Sequence, residues 1–309
     1  MATFAAPLSR SGPGLLLRDL QKGADDEISA IVALIDDASP DVLLLTDFDY
    51  DLDGFALKTF SQILDGPYPY LYSAQPNAGV PTGLDIDGNG RLGEARDAQG
   101  YGEFSGDGGM AILSRFPFGE VTDLSDLLWQ DVPGAVLPPM TPETALVQRL
   151  SSTNHWMVPI ALPNGDLQLM AYSATPPVFD GPEDRNGLRN RDELMLWTTV
   201  LDGVFGHAPD SFVILGNANL DPQAGDGIRA AMGDFLGDPR LQDPLPGIAT
   251  AYWPHLPELG ELRVSYVLPS QDWMVTGAQV MRLAPDQPSK SDDSMAAGPH
   301  RLVWVDISR

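Results

Sequence analysis

Residues 171–197 read AYSATPPVFDGPEDRNGLRNRDELMLW and join a predicted strand to a predicted helix. The strand is predicted over 167–172, because apolar and polar residues alternate at its start and a continuous apolar stretch follows. This pattern is typical of a strand whose end leaves the core. The helix is predicted over 190–205, with Asn190 as its N-cap and Glu193 as its third residue. Strand-to-helix junctions of this kind often carry the functional side chains of a rigid scaffold.

The turn inside this segment, from Pro176 to Arg191, is predicted to be ordered. Its backbone is restricted by prolines and glycines, at Pro176, Pro177, Gly181, Pro182 and Gly187. Charged residues alternate with them, at Asp180, Glu183, Asp184 and Arg185. We expect these charged side chains to be structural, forming internal salt bridges and backbone caps.

This segment resembles a bacterial branch of the endonuclease/exonuclease/phosphatase superfamily, in which a strand ending in HPTPP is followed by FDGPEDRNGRRNHDE. Five further blocks resemble the same branch in the same order: ATFAAPLSR (2–10), PDVLLLTDFDYD (40–51), GNANLDP (216–222), RVSYVLPS (263–270) and HRLVWVD (300–306). The resemblance implies an α/β (α+β) fold, a four-layer sandwich of two packed mixed β-sheets flanked by helices. It spans nearly all of the 309 residues.

Composition favours one domain over residues 1–309, because the chain is 43% hydrophobic and has no repeat or low-complexity linker. The formal net charge is −25, which makes nucleic acid an unlikely partner, since an acidic surface repels phosphate backbones.

Cysteine is absent, which excludes disulfides and thiolate metal sites. No apolar run reaches membrane-spanning length. Relatives in this branch are commonly exported, so we expect a periplasmic or extracellular location, although no signal peptide is visible.

Strands and helices are predicted to alternate along the whole chain. A strand over 2–5 precedes a turn over 7–14, and Asp25 or Asp26 begins a helix that stops before Pro40. Further strands are predicted at 42–45, 68–72, 110–114, 212–215, 262–268, 273–280 and 301–307, with a helix around 56–64. A hairpin is predicted around Pro163-Asn164-Gly165, with strands at 155–161 and 167–172.

A calcium loop is one interpretation of residues 85–92, DIDGNGRL. Asp85, Asp87 and Asn89 would supply side-chain oxygens at positions 1, 3 and 5, and Arg91 would supply its backbone carbonyl. Position 12 is Arg96, so a carboxylate from Asp97 or Glu94 would have to complete the site. The alternative is an Asp/Gly turn that satisfies its own hydrogen bonds.

The resemblance also implies a phosphoesterase site in which Mg²⁺ ions, an Asp-supported His, Asn and a second His act on a phosphate. The family's metal-binding Glu corresponds to Asp47, which keeps the charge and is the remnant of the Mg²⁺ site. Asn219 and His300 are the catalytic remnants that match the family. An Asp that caps the next turn is the alternative reading of Asp47, and packing is the alternative for His300.

Five other family positions have lost the group that the chemistry needs. Ala5 replaces an Asn that contacts phosphate, and Ser173 replaces the His of HPTPP. Asn217 replaces the Asp of the GDxN signature. Ser265 and Pro299 each replace an Asp. Neither an amide nor a hydroxyl can act as a base or bring negative charge to a metal at neutral pH.

We therefore expect a catalytically inactive member, a pseudoenzyme that acts as a binding or interaction protein and binds Ca²⁺ through the loop at 85–97. Its partner is an unknown protein or small ligand. The alternative is a divergent metal-dependent phosphoesterase that uses Mg²⁺ with Asp47, Asn219, His300 and acidic residues from 49–53 or 180–184. A purely structural surface protein is a third hypothesis.

Overall fold

Thirteen strands and six α-helices are found in residues 1–282 and 295–309, the part of the chain that the computed structural model describes. In chain order the strands are β1 (Ala2–Leu8), β2 (Val42–Phe48), β3 (Tyr70–Tyr72), β4 (Gly109–Ser114), β5 (Thr122–Asp123), β6 (His155–Leu162), β7 (Gly165–Ser173), β8 (Phe212–Asn217), β9 (Ala251–Tyr252), β10 (Glu261–Leu262), β11 (Ser265–Pro269), β12 (Met274–Met281) and β13 (Leu302–Ser308). The helices are α1 (Leu15–Lys22), α2 (Asp26–Ala38), α3 (Phe55–Ile63), α4 (Pro142–Ala145), α5 (Arg185–Leu201) and α6 (Arg229–Leu236).

Two mixed sheets contain most of these strands. The six-stranded sheet has the order β12-β13-β1-β2-β4-β3, and the five-stranded sheet has the order β11-β8-β7-β6-β5. The pairs β1–β2 and β7–β8 are parallel, whereas the other named pairs within the two sheets are antiparallel. Strands β9 and β10 form a separate small antiparallel pair.

Three large apolar clusters show that the sheets and helices form four layers. Residues of α1, α2 and α3 pack on the outer face of the six-stranded sheet, with Phe4 and Leu45. Leu44, Trp156 and Val213 belong to the cluster between the two sheets. Residues of α5 and α6 cover the outer face of the five-stranded sheet. The predicted four-layer sandwich is confirmed.

Alternation along β1 and β2 places their side chains in two different cores. Phe4 and Leu45 face the outer helices, so the neighbouring residues Ala5 and Thr46 point between the sheets. The predicted hairpin is also confirmed, since Leu162 pairs with Gly165 across a two-residue turn. Asp25 caps α2 as predicted, its Oδ1 accepting from the Ile28 N–H at 3.0 Å. No helix in residues 1–282 or 295–309 is long and apolar enough to cross a membrane.

The prediction for α5 was wrong at both ends. The helix begins at Arg185, five residues before the expected start at 190, and ends at Leu201, four residues before the expected end at 205. Asn190 is a buried interior residue and not a cap, because its Nδ2 donates to the carbonyls of Thr175 and Ala218 at 2.7 Å each. The Glu193 carboxylate accepts from the backbone N–H groups of Ser152 and Thr175. These partners come from distant segments, so the buried polar face could not be recognised by helical periodicity.

Two other predictions needed correction, and one helix was missed. The segment 7–14 is not wholly a turn, because β1 continues to Leu8. It is followed by α1, which was not predicted. The single strand expected over 262–268 is divided, since Leu262 pairs with Ala251 in the small sheet and β11 begins only at Ser265.

The Pro176–Arg191 segment is held by side-chain to backbone hydrogen bonds. Asp180 accepts from the Asn186 N–H, and Asn186 Nδ2 donates to the Val178 carbonyl at 2.6 Å. Glu183 accepts from the Gly181 N–H at 3.2 Å. In residues 1–282 and 295–309 no ion pair joins Arg185 to Asp180, Glu183 or Asp184, so the predicted internal salt bridges were wrong. Asp180 and Glu183 form the predicted backbone caps, whereas the Asp184 side chain forms none.

Candidate functional site

A cavity of about 480 Å³ opens at one end of the sandwich. It lies where β2, β7 and β8 reach their carboxyl ends, so residues distant in sequence meet there. The structure brings six of the eight family positions onto its lining: Ala5, Asp47, Ser173, Asn217, Asn219 and His300. Ser265 and Pro299 stand directly beside it, since Ser265 pairs with Asn217 and Pro299 precedes His300.

The floor of the pocket is formed partly by β1 and β2. Ala5 pairs with Thr46, and the Ala5 methyl group offers no polar contact where the resemblance implies an Asn. Thr46 is only 1% exposed, and its Oγ1 has no hydrogen-bond partner among the described residues. A hydroxyl in this state loses its contacts with water without replacing them.

Asp47 is the carboxylate at the end of β2. Its backbone adopts a φ of 64°, and its side chain forms no hydrogen bond with the described residues. The side chain is open to water within the pocket, yet enough protein surrounds it that desolvation, with the nearby charges of Asp49 and Asp107, raises its pKa to about 7. Asp47 is therefore a carboxylate without a fixed partner.

The two acids near Asp47, Asp49 and Asp107, already accept hydrogen bonds from neighbouring loops. Asp49 accepts from the backbone N–H groups of Arg10 at 2.9 Å and Gly108 at 3.2 Å. Asp107 accepts from the Ser9 hydroxyl at 2.7 Å and the Glu103 N–H at 2.8 Å. Their oxygen atoms hold loops together and are less available for a metal than those of Asp47.

Neutral side chains occupy the strand ends opposite Asp47. Ser173 pairs with Asn217 in parallel register, and Asn217 pairs with Ser265 in antiparallel register. Ser265 is buried, and its Oγ has no partner among the described residues. Gly216 precedes Asn217, and a Cβ there would lie 1.9 Å from the Tyr172 carbonyl oxygen, so the strand spacing requires glycine.

Asn219 is committed to the backbone. Its Nδ2 donates to the Ala174 carbonyl at 2.8 Å, and its own N–H donates to the Val264 carbonyl at 3.2 Å. Its φ of 50° is a left-handed conformation that Asn tolerates better than most residues. These contacts give Asn219 a structural part in shaping the pocket.

His300 lies against Trp253 in an edge-to-face contact, with ring centroids 5.3 Å apart and an interplanar angle of 88°. Burial lowers its pKa to about 4, so the ring is neutral at pH 7. Its Nδ1 has no partner in residues 1–282 and 295–309, and the preceding residue, Pro299, offers no carboxylate. A catalytic His needs a second group to fix its tautomer and orientation, and none of the described residues holds His300 Nδ1 in this way.

The walls of the pocket are apolar and aromatic. They include Trp253, Leu256, Leu259, Val178 and Phe179. No Lys or Arg lines the pocket among the described residues. Sequence reasoning missed these wall residues, because they come from separate Gly- and Pro-rich loops. The only available signal was the presence of exposed aromatic residues inside such loops.

The single group of three or more potential metal ligands in the described chain lies outside this pocket. Carboxylate oxygens of Asp85, Asp87 and Asp97 lie within 4.8 Å of one another. Asp85 and Asp87 also accept from the Asn89 N–H, at 3.1 Å and 3.2 Å. Asp97 accepts from the Ile86 N–H at 2.9 Å.

Asn89 and Arg91 lie in the same loop, and the side chains of both contact Glu94. Asn89 Oδ1 accepts from the Arg91 N–H at 2.8 Å, and Asn89 Nδ2 donates to Glu94 Oε2 at 2.6 Å. The Arg91 side chain is exposed and lies 3.3 Å from Glu94. The loop therefore brings three carboxylates together while its other polar groups satisfy one another.

Comparison with known proteins gives the chain its family. Residues 20–292 match the model of the Endonuclease/Exonuclease/phosphatase family, which is most of the chain. No curated protein matches the chain in sequence.

Similar solved structures show the same fold. An endonuclease/exonuclease/phosphatase from Beutenbergia cavernae DSM 12333 is 16% identical with a TM-score of 0.59, covering 99% of this chain and 70% of that chain. Sphingomyelinase C from Streptomyces griseocarneus is 14% identical with a TM-score of 0.55, covering 100% and 98%. A 3′-5′ exonuclease from Neisseria meningitidis is 16% identical with a TM-score of 0.52, covering 100% and 99%. The match of the family model over most of its length shows that this chain belongs to the endonuclease/exonuclease/phosphatase family.

Proposed function

We propose that this chain is a non-catalytic member of its family and acts as a binding protein through the pocket at the ends of β2, β7 and β8. One observation carries the proposal: Asp47 is the only family metal position in the pocket that still holds a carboxylate. Mg²⁺ gives up its water reluctantly and needs several oxygen ligands in octahedral geometry. One carboxylate with amides and hydroxyls around it is a poor site for that ion.

Loss of acid–base chemistry supports the same proposal. His300 is neutral at pH 7 and packs against Trp253, and neither Asn217 nor Ser265 can supply the missing base. The pocket itself has a volume of about 480 Å³. That volume suits a small molecule better than a protein segment. The net charge of −25 favours a partner other than nucleic acid.

A divergent metal-dependent phosphoesterase is the alternative, and the free carboxylate of Asp47 is the observation that favours it. Three of the other acids that this alternative would use already accept backbone hydrogen bonds. Asp51 accepts from the N–H groups of Phe55 at 2.7 Å and Ala56 at 2.6 Å, at the start of α3. Asp49 and Asp180 likewise accept backbone N–H groups.

Calcium binding by the loop at 85–97 is a separate part of the proposal. It is supported by the approach of the Asp85, Asp87 and Asp97 carboxylates within 4.8 Å. Hard oxygen ligands of this type suit Ca²⁺, and an ion there would pin the long loop between β3 and β4.

Crystals soaked in Mn²⁺ test whether the pocket holds a divalent ion. Anomalous scattering distinguishes Mn²⁺ from water, and the proposal expects no peak between Asp47, Asn217 and Ser265 at millimolar Mn²⁺. A fully occupied Mn²⁺ ion with Asp47 as a ligand would favour the phosphoesterase alternative. An Asp47→Ala crystal, soaked in the same way, is the matched control.

A further inference from the structure

Charge in the pocket is one-sided. The ionisable side chains other than His and Tyr on its described lining are Asp47, Asp221 and Asp226. The Asp221 carboxylate accepts hydrogen bonds from the backbone N–H groups of Gln223 and Arg263, at 2.7 Å each. The Asp47 carboxylate has no hydrogen-bond partner among the described residues. A concave site lined by one sign of charge concentrates ions of the opposite sign. The pocket therefore disfavours the anionic esters that its family is built to bind, and favours cations.

Aromatic surface surrounds this acidic floor. Phe179 is 82% exposed and Tyr101 is 65% exposed, and both line the pocket. Trp253 forms part of the wall and contacts the His300 ring edge to face. The negative face of an aromatic ring attracts ammonium groups, most strongly for Trp. Large apolar side chains left in water also indicate a surface that a ligand covers.

A buried hydroxyl without a hydrogen-bond partner is a second observation that points to a ligand site. Thr46 lines the pocket, is 1% exposed, and has no hydrogen-bond partner for Oγ1 among the described residues. It lies next to Asp47 in the chain. A ligand N–H or O–H that reached the floor would satisfy this oxygen.

We infer that the pocket binds an organic ammonium ion with an apolar body, with the ammonium group at Asp47 and Thr46 and the body against Trp253 and Phe179. The inference rests on the proposed function, since it assumes a pocket kept for binding and not for hydrolysis. A ring of six carbons with a two-carbon arm fits well within about 480 Å³.

Three probes with one carbon skeleton and different charges test this inference. They are 2-phenylethylammonium, 2-phenylethanol and 2-phenylethyl phosphate, titrated by calorimetry at pH 8 in low salt. We expect the ammonium probe to bind on the order of tenfold more tightly than the alcohol, and the phosphate to bind most weakly. Shifts of the Trp253 indole resonance in NMR spectra locate the bound probe.

Variants assign the contacts. Asp47→Asn should weaken binding of the ammonium probe on the order of tenfold without weakening binding of the alcohol. Trp253→Leu should weaken binding of both probes. Asp166→Asn is the matched control, because it removes one exposed charge at the opposite end of β7 and should leave binding unchanged. Melting curves verify that each variant is folded.

The outcomes separate this inference from the proposed function. Equal binding of alcohol and ammonium would overturn the preference for cations and leave a binding pocket. No binding of any probe at millimolar concentration, with no phosphate release, would overturn the inference while the chain stays non-catalytic. Tightest binding of the phosphate probe, with Mg²⁺-dependent hydrolysis, would overturn both.

Discussion

Ser265 lies directly opposite Asn217 in the antiparallel pairing of β11 with β8, so both side chains point to the same face of the sheet. Ser173 lies beside Asn217 on the other neighbouring strand. The row across these three strands is therefore Ser, Asn and Ser, where the resemblance implies His, Asp and Asp. Three neutral groups of similar or smaller size fit this register, so the proposed loss of charge at the site requires no change of fold.

Asp47 should make the stability of the protein depend on pH. Its folded-state pKa of about 7 is above its value in an unfolded chain, so the folded state holds the proton more tightly. This contribution is present at low pH and is lost as the pH rises towards 7. Asp47→Asn should melt at the same temperature as the natural chain near pH 4 and a few degrees higher at pH 8. Differential scanning calorimetry across this range checks the prediction, and a variant that is less stable at pH 8 would contradict it.

His155 and His300 should stay neutral in mildly acidic solution. Burial lowers the pKa of each ring to about 4. Both ring nitrogens of His155 are hydrogen-bonded, with Nδ1 2.8 Å from Ser151 Oγ and Nε2 3.0 Å from the Glu193 carbonyl oxygen. The unfolded chain takes up these protons near pH 6.5, so the stability they contribute is lost as the pH falls from there towards 4. Imidazole chemical shifts followed from pH 8 to 4.5 provide the measurement. Midpoints above pH 6 for either residue would show that the ring is accessible and able to act as a base.

Glu193 should be essential for stability and irrelevant to any catalysis. Its buried carboxylate accepts from Ser152 and Thr175, and Glu193→Ala would leave these N–H groups unpaired beside the buried Arg189. Leaving such groups unsatisfied costs about 3 kcal/mol or more. Urea unfolding of Glu193→Ala against Glu258→Ala, whose side chain is exposed, measures the difference. A loss below about 1 kcal/mol would mean that this network contributes little.

Calcium should raise the melting temperature if the loop at 85–97 binds the ion. Stabilisation by a bound ligand grows with the logarithm of its concentration above the dissociation constant. Millimolar Ca²⁺ should stabilise the natural chain, whereas Asp85→Asn and Asp97→Asn should respond much less. Asp166→Asn controls for the change in net charge. Identical melting curves with Ca²⁺ and with a chelator would show that the turn satisfies itself.

The sequence was sufficient to predict the parts of the fold that depend on local pattern and on matching blocks. The strand ends at Asp47, Ser173 and Asn217 meet in one pocket, as their places in those blocks implied. The start of α5 could not be predicted, since Asn190 is buried only because Thr175 and Ala218 supply acceptors for its amide. An Asn just before an apolar repeat of helical spacing, with Glu three residues later, otherwise favours a cap.

The pocket walls were equally hidden from sequence reasoning. Trp253 and Phe179 lie in loops without periodicity, and their common position depends on how those loops fold back over the sheet ends. The acidic composition of the chain was visible, whereas the absence of Lys and Arg from the described pocket lining was not. The wall residues to which we assign ligand choice are thus ones that the sequence pattern did not indicate.

Hydrolysis assays test the absence of catalysis most directly. Purified protein is incubated with a phosphodiester, a phosphomonoester and plasmid DNA, each with Mg²⁺ or Mn²⁺, beside Asp47→Ala. Removal of one acid, base or charge-stabilising group typically costs about two to four orders of magnitude, and five positions have changed here. The prediction is product formation at background for both proteins with every substrate and metal. Metal-dependent turnover by the natural chain that disappears in Asp47→Ala would contradict the non-catalytic proposal and establish a divergent phosphoesterase.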